Sequence, residues 1–350
     1  MTTPKSDDAA PERDDGDDGD DVDLGLTSHL DADGKPRIVE RHLIVPPELA
    51  GLRLDHFVKT QIQRLSRTKI QQIIATQLRR EDGFAPKPAT SVAAGDHYII
   101  RREARPEPPC PRTFGLLHED ARMRIIDKPA GLPVHASAKF YFNTLTRVLS
   151  ERYPDEPELQ LCHRLDRETS GCLVLARDKE AAAFLKGAIA AKDKTTKQYL
   201  AVVHGQPPWD SDNDTTLDTS LRLSTAADPT RIPTVRVLPD PRGLTAITRV
   251  RVERRSASYA LVRCTLVTGR QHQIRVHLAV AGYPVVGDKI YAHGDDAFID
   301  YCDEGLTPEL AELFVLPRHA LHAARITVPH PDGGTVTAEA PLPSDMAALL

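Results

Sequence analysis

His163-Arg164-Leu165-Asp166-Arg167-Glu168-Thr169-Ser170-Gly171, followed by the apolar run Cys172-Leu173-Val174-Leu175-Ala176, is the stretch around which the chain is organised. The apolar run is short and stops at Arg177-Asp178, as a buried strand does, so the charged block before it is a loop feeding a sheet. A carboxylate, Asp166, therefore stands at the entrance of a core strand. Arg164 and Arg167 are close in sequence, and a nearby cation keeps a carboxylate ionised. Such a group is either a nucleophile or the ion-pair partner of an arginine in a structural turn.

Outward from the block, 350 residues with 40% hydrophobic content leave room for two domains and a sizeable core. Cys110, Cys162, Cys172, Cys264 and Cys302 are scattered and form no Cys-x-x-Cys pair, which argues against a disulfide scaffold or zinc ribbon and for a reducing, cytoplasmic setting. No basic segment with an apolar stretch opens the chain, and no run approaches the roughly 18 apolar residues of a membrane span, so no membrane partner is expected. Residues 1–35 hold twelve acidic side chains against Lys5, Arg13 and Lys35, a charge of −9 that leaves the remainder at +4 within the chain's −5. This stretch has little to bury and repels itself, so it reads as a disordered acidic tail, either solubilising or competing for a polyanion-binding surface.

Residues 36–104 read as a small unit. A strand over 37–45 precedes Leu54, Phe57, Val58, Ile62 and Leu65 at helical spacing, and Ser66 caps a second helix bearing Ile70, Ile73 and Ile74. The polar faces of this hairpin carry Lys59, Arg64, Arg67, Lys69, Arg79 and Arg80, and Gly95-Asp96 turns the chain into a strand over 97–101. Residues 105–111, rich in proline, form a linker at which the modules are expected to move.

In the second domain, 112–350, a strand ends at Ile125-Ile126-Asp127 and the rigid turn Lys128-Pro129-Ala130-Gly131 follows. Helices are predicted over 144–152 and 179–192, the latter burying Phe184 and Leu185. A strand over 197–205 places Tyr199 opposite Leu200, and an insertion over 206–243 holds one hairpin around 221–237. Strands over 244–252 and 259–266 lead to Thr268–Leu278, a turn and helix with Ile274 and Leu278 as core contacts. Arg275 lies between those positions, so its head must find an internal partner. His272 and His277 are five apart, the wrong spacing for a helical zinc pair, and no metal is expected. Gly282 to Tyr291, with Gly287-Asp288, reads as turn and packing, and an insertion over 292–316 carries a helix at 308–314.

His-Arg-Leu-Asp-x-x-Thr-Ser-Gly resembles the signature of the RluA-type pseudouridine synthases, RNA-modifying enzymes that isomerise uridine to its C-glycoside. Lys128-Pro129-x-Gly131, Lys197-x-Tyr199-x-Ala201-x-Val203-x-Gly205, Thr268–Leu278 and Leu321-His322-Ala323 resemble further motifs of that family, in order. Gly51-x-Arg53-Leu54-Asp55, Ser66-Arg67 and Gly95-Asp96 resemble an S4 RNA-binding module. The resemblance implies an α+β fold with a mixed, mostly antiparallel sheet and flanking helices, joined to an S4-like module. It assigns catalysis to Asp166, proton removal from the sugar to Tyr199, and the partner of Asp166 to Arg275, with Arg270 the rival. It assigns RNA contact to Arg164, Arg64, Arg67, Lys69, Arg270 and His272. The reaction it implies uses no cofactor, and the partner is RNA, first large-subunit ribosomal RNA and second transfer RNA. Two other readings are a catalytically idle RNA-binding protein and an N-glycosidic hydrolase with Glu168 as a second carboxylate.

Overall fold

The computed structural model describes residues 23–63, 65–137, 139–191 and 194–350; Arg64 and residues 1–22 lie outside them. In the first module the strand Ile38–Ile44 pairs antiparallel with His97–Glu103, which also takes Leu78–Arg80 on its other side. Ser66 accepts a hydrogen bond from the Lys69 amide and starts the helix Arg67–Thr76, which packs with Leu54–Gln61. Leu54, Phe57, Val58, Ile70, Ile73 and Ile74 close over Leu43, Tyr98 and Ile100 to give this module its own core. Buried Asp55 ties the hairpin together, accepting from Arg53 at 3.0 Å and Gln71 at 3.2 Å.

Residues 23–35 depart from the expected disordered tail. Asp23 and Leu24 carbonyls accept from the Arg112 and Cys110 amides at 2.8 and 3.0 Å, and Asn143 Nδ2 donates to Gly25 at 3.2 Å. The linker is pinned as well, because its prolines leave free carbonyls and Glu107 that neighbouring donors satisfy. The Glu107 carboxylate accepts from the Phe142 and Asn143 amides, and Asn143 also donates to the Pro108 carbonyl.

The second domain is built on a ten-stranded sheet. Its main path runs Gly115–Glu119, Met123–Lys128, Ser170–Ala176, Leu321–Pro329, Thr196–His204, Tyr259–Leu266, Ile247–Arg255 and Thr215–Asp218. Every pair is antiparallel except Ser170–Ala176 with Leu321–Pro329, so the sheet is mixed and mostly antiparallel as expected. Ser170–Ala176 is buried on both faces, which is why it reads as an unbroken apolar run. Leu173 and Leu175 join the core under the helices Leu145–Arg152 and Gln273–Val280, whereas Cys172, Val174 and Ala176 face Lys179–Ala191. In that last helix Ala181, Ala182 and Leu185 define the buried face; Phe184 stands about a third of a turn away and is 42% exposed, contrary to expectation.

Gly171 decides the junction of the parallel pair. Its φ is +106°, and a Cβ there would stand 2.3 Å from the Ala323 carbonyl oxygen. The insertion over 206–243 contains the expected hairpin, Leu221–Leu223 with Val237–Pro239. The insertion over 292–316 contains the expected Pro308–Phe314 and also a helix, Gly294–Glu304, which its polar sequence did not announce.

Candidate active site

The loop 163–169 is fastened by backbone and buried polar groups. His163 Nε2 accepts from the Val174 amide at 3.1 Å. Lys128 is fully buried and donates to the carbonyls of Pro129, Leu132 and Arg167 at 2.7, 3.0 and 3.1 Å, so the Lys-Pro turn is the floor of the loop. Burial lowers its ammonium to about 7. On the far side Thr169 meets His319 at 2.8 Å and Ser170 meets His322 at 2.9 Å. The position of Asp166 thus depends on residues about 150 apart in the chain.

Asp166 faces the helix Gln273–Val280. Arg275 Nη1 donates to Asp166 Oδ2 at 3.0 Å, while its Nε and Nη2 grip Asp288 at 2.6 and 2.9 Å. The internal partner that Arg275 required is therefore double, and Asp288, read from sequence as part of a turn, is the larger half. Burial opposes ionisation of Asp166, but the facing His272 and Arg275 outweigh it and hold the carboxyl below its ordinary value. The side chain keeps 32% of its surface exposed, so one face is open to a ligand.

His272 lies at the start of the same helix with φ +53°. Its Nε2 is 3.9 Å from Asp166 Oδ2 and its Nδ1 is 2.8 Å from the Tyr291 hydroxyl. Burial and the Arg275 charge lower the ring to about 4, so it is neutral at pH 7. Expected as an RNA contact, it stands beside the carboxylate. Tyr199 is 8% exposed, on the core side of its strand, and its hydroxyl makes no hydrogen bond among the described residues. Burial, then the charge of Asp166, pushes its hydroxyl well above the ordinary tyrosine value, so it is protonated.

Glu168, two residues on, is saturated. Its Oε2 accepts from Lys289 Nζ at 2.9 Å and from the His319 amide at 3.0 Å, and its Oε1 accepts from Arg167 at 2.9 Å. Against the opposing effect of burial, His319 and Lys289 hold it down to about 2. It is ionised at neutral pH, and with 11% of its side chain exposed it offers little surface to a ligand, which argues against it as the second carboxylate of the hydrolase reading.

The cations expected to contact RNA are dispersed. Arg164 is exposed and forms no ion pair among the described residues; it borders a cavity of about 740 Å³ with His135, Tyr153 and Lys186. Arg270 is exposed, donates to the Thr245 carbonyl and makes no ion pair with Asp166 among the described residues, so the partner's place is taken by Arg275. Arg67 approaches Asp55 at 3.5 Å with 66% of its side chain exposed, and Lys69 reaches Gln72 at 3.0 Å. Lys289, His319 and Tyr291 were missed as site residues. A signal for them existed: the Arg275 argument, applied again, asks for buried acids and donors to complete the network.

A family model described as RNA pseudouridylate synthase matches residues 122–280. Ribosomal large subunit pseudouridine synthase D of Xanthomonas campestris pv. campestris is 31% identical over 89% of this chain and 91% of its own length. The synthase D of Nitrosomonas europaea is 34% identical over 88% and 86%, and the synthase C of Escherichia coli 34% over 86% and 92%. Among solved structures, human RNA pseudouridylate synthase domain containing 4 is similar with a TM-score of 0.50 and 27% identity, over 67% of this chain and 90% of that one. The family match spans Asp166, Tyr199 and Arg275 and stops short of Asp288 and Tyr291.

Proposed function

The chain belongs to the RNA pseudouridylate synthase family, and from that premise we propose that this RNA pseudouridine synthase acts on large-subunit ribosomal RNA through Asp166. The isomerisation breaks the bond from N1 of uracil to C1′ of ribose, turns the base, and joins C5 to C1′. It is balanced without redox change or phosphate donor. Asp166 acts at the ribose, as nucleophile at C1′ or acceptor of the C2′ proton; either role needs an ionised carboxylate with an open face. The observation that carries this reading is that Asp166 spends one oxygen on Arg275 and keeps about a third of its side-chain surface exposed. Arg275, fixed by Asp288, orients it. Tyr199 holds its own proton too firmly to be the ready acceptor expected of it, and fits better as the wall against which the uracil lies.

The target uridine must leave its stack, at about a few kcal/mol. Exposed Arg164 is suited to fill the gap, since a guanidinium both stacks and pairs phosphate. The first module, with Arg67 and Lys69 exposed on its second helix, supplies sequence-independent phosphate contact as an S4-like unit. Among the described residues no helix is long and apolar enough to cross a membrane, and a cytoplasmic setting suits the proposed substrate.

Nucleoside mass analysis of unmodified large-subunit ribosomal RNA and transfer RNA, each treated with the purified protein, tests the reading. Pseudouridine in the ribosomal RNA is expected. Pseudouridine in transfer RNA alone overturns the substrate, and binding to both without product supports an idle fold.

A further inference from the structure

His272 sits in a chain of contacts whose proton directions can be worked out. The Val237 amide, which can only donate, gives its hydrogen to the Tyr291 hydroxyl oxygen at 2.9 Å. The hydroxyl proton then needs an acceptor. Around the ring stand Arg275, with its guanidinium 5.0 Å from the ring centre, and Arg236 at 5.5 Å, and neither can accept. His272 Nδ1, at 2.8 Å, is the acceptor left among the described residues. A neutral imidazole that accepts at Nδ1 carries its proton on Nε2, and Nε2 faces Asp166 Oδ2, an ionised acceptor, at 3.9 Å. The donor at one end and the carboxylate at the other thus select the same tautomer. The left-handed backbone of His272, φ +53°, aims the ring along this line, and such outliers concentrate where function demands them.

We propose that His272 is a positioning residue for the reaction: Val237 and Tyr291 lock it as the Nε2–H tautomer, and its N–H becomes the second donor to Asp166 when uridine displaces water from the exposed face of that carboxylate. This rests on Asp166 being the reacting carboxylate. At 3.9 Å the contact is not yet a hydrogen bond, and it tightens as the open face of Asp166 loses solvent. It also gives the 206–243 insertion a task, because Val237 belongs to its hairpin.

Nitrogen-15 NMR of histidine-labelled full-length protein reads the tautomer directly, with His272→Gln identifying the resonance. Nε2 protonated in the unsubstituted protein is expected, giving way to a mixture in Tyr291→Phe. Single-turnover kinetics on RNA should show Tyr291→Phe and His272→Phe each lowering the rate about tenfold, the value of one charge-assisted hydrogen bond, with RNA affinity preserved. The two losses should not multiply in the double variant, and His272→Gln, which still offers an N–H, should recover part of the rate. An Nδ1–H tautomer in the unsubstituted protein overturns the proposal, as do losses that multiply. If Tyr291→Phe folds poorly, the unsubstituted tautomer decides alone. Full activity of Asp166→Asn would instead overturn the reading beneath it, and the tautomer measurement is independent of activity.

Discussion

Asp166 and Glu168 share one loop, lie two residues apart, and are both held below their ordinary pKa, yet the two sides of that loop are built for opposite ends. Glu168 looks inward, where Lys289, the His319 amide and Arg167 fill both of its oxygens. Asp166 accepts one hydrogen bond from an arginine already committed to Asp288, and stays about one-third exposed. A depressed pKa alone therefore does not separate a structural carboxylate from a reactive one. Under the proposed function, the difference is the exposed surface that Asp166 keeps and Glu168 largely lacks.

The sharpest way to break this contrast is to remove each charge in turn. Asp166→Asn should lower pseudouridine formation by roughly 10³-fold or more while the melting temperature stays near that of the unsubstituted protein. Glu168→Gln should do the reverse. It leaves Lys289 buried without its counter-charge, and denaturant melts should show a loss of about 3–5 kcal/mol while the folded fraction still makes pseudouridine. A Glu168→Gln protein that is stable and inactive would erase the distinction.

Acid provides a second, smaller probe. Glu168 titrates at about 2 in the folded state against an ordinary 4.5, so its contribution is complete above the unfolded value and is lost as pH falls from there toward 2. His319, pushed down to about 3 chiefly by burial, has the same sign and begins to act below 6.5. Urea midpoints measured from pH 7 to pH 3 should fall progressively, and Glu168→Gln should flatten the part below 4.5. The smallest effect is expected far from the loop: Lys69→Gln should reduce the slope of log RNA affinity against log salt by roughly one and leave the single-turnover rate unchanged.

Much of this arrangement is legible in the sequence. The buried strand, the hairpin capped by Ser66 and the internal demand of Arg275 follow from period and polarity, which are local properties, whereas the mixed sheet is implied by the family resemblance alone. What stayed hidden depends on distance. Asp288 reads as turn chemistry because nothing nearby in sequence reveals the guanidinium it meets. Glu168 looks as available as Asp166 until Lys289 arrives from 121 residues away. Residues 23–35 look disordered because the groups that tie them to the second domain, at Cys110, Arg112 and Asn143, lie far along the chain.

The single parallel pairing in the sheet has a consequence in time. Asp166 is translated early, but Glu168, Thr169 and Ser170 are fixed by His319 and His322, and Gly171 is shaped to admit Ala323. A nascent chain therefore carries its carboxylate through about 150 further residues of synthesis before the groups that hold the loop exist. Until that strand emerges and inserts beside Ser170–Ala176, the half-made polypeptide has the carboxylate proposed to react without the partners that hold its loop.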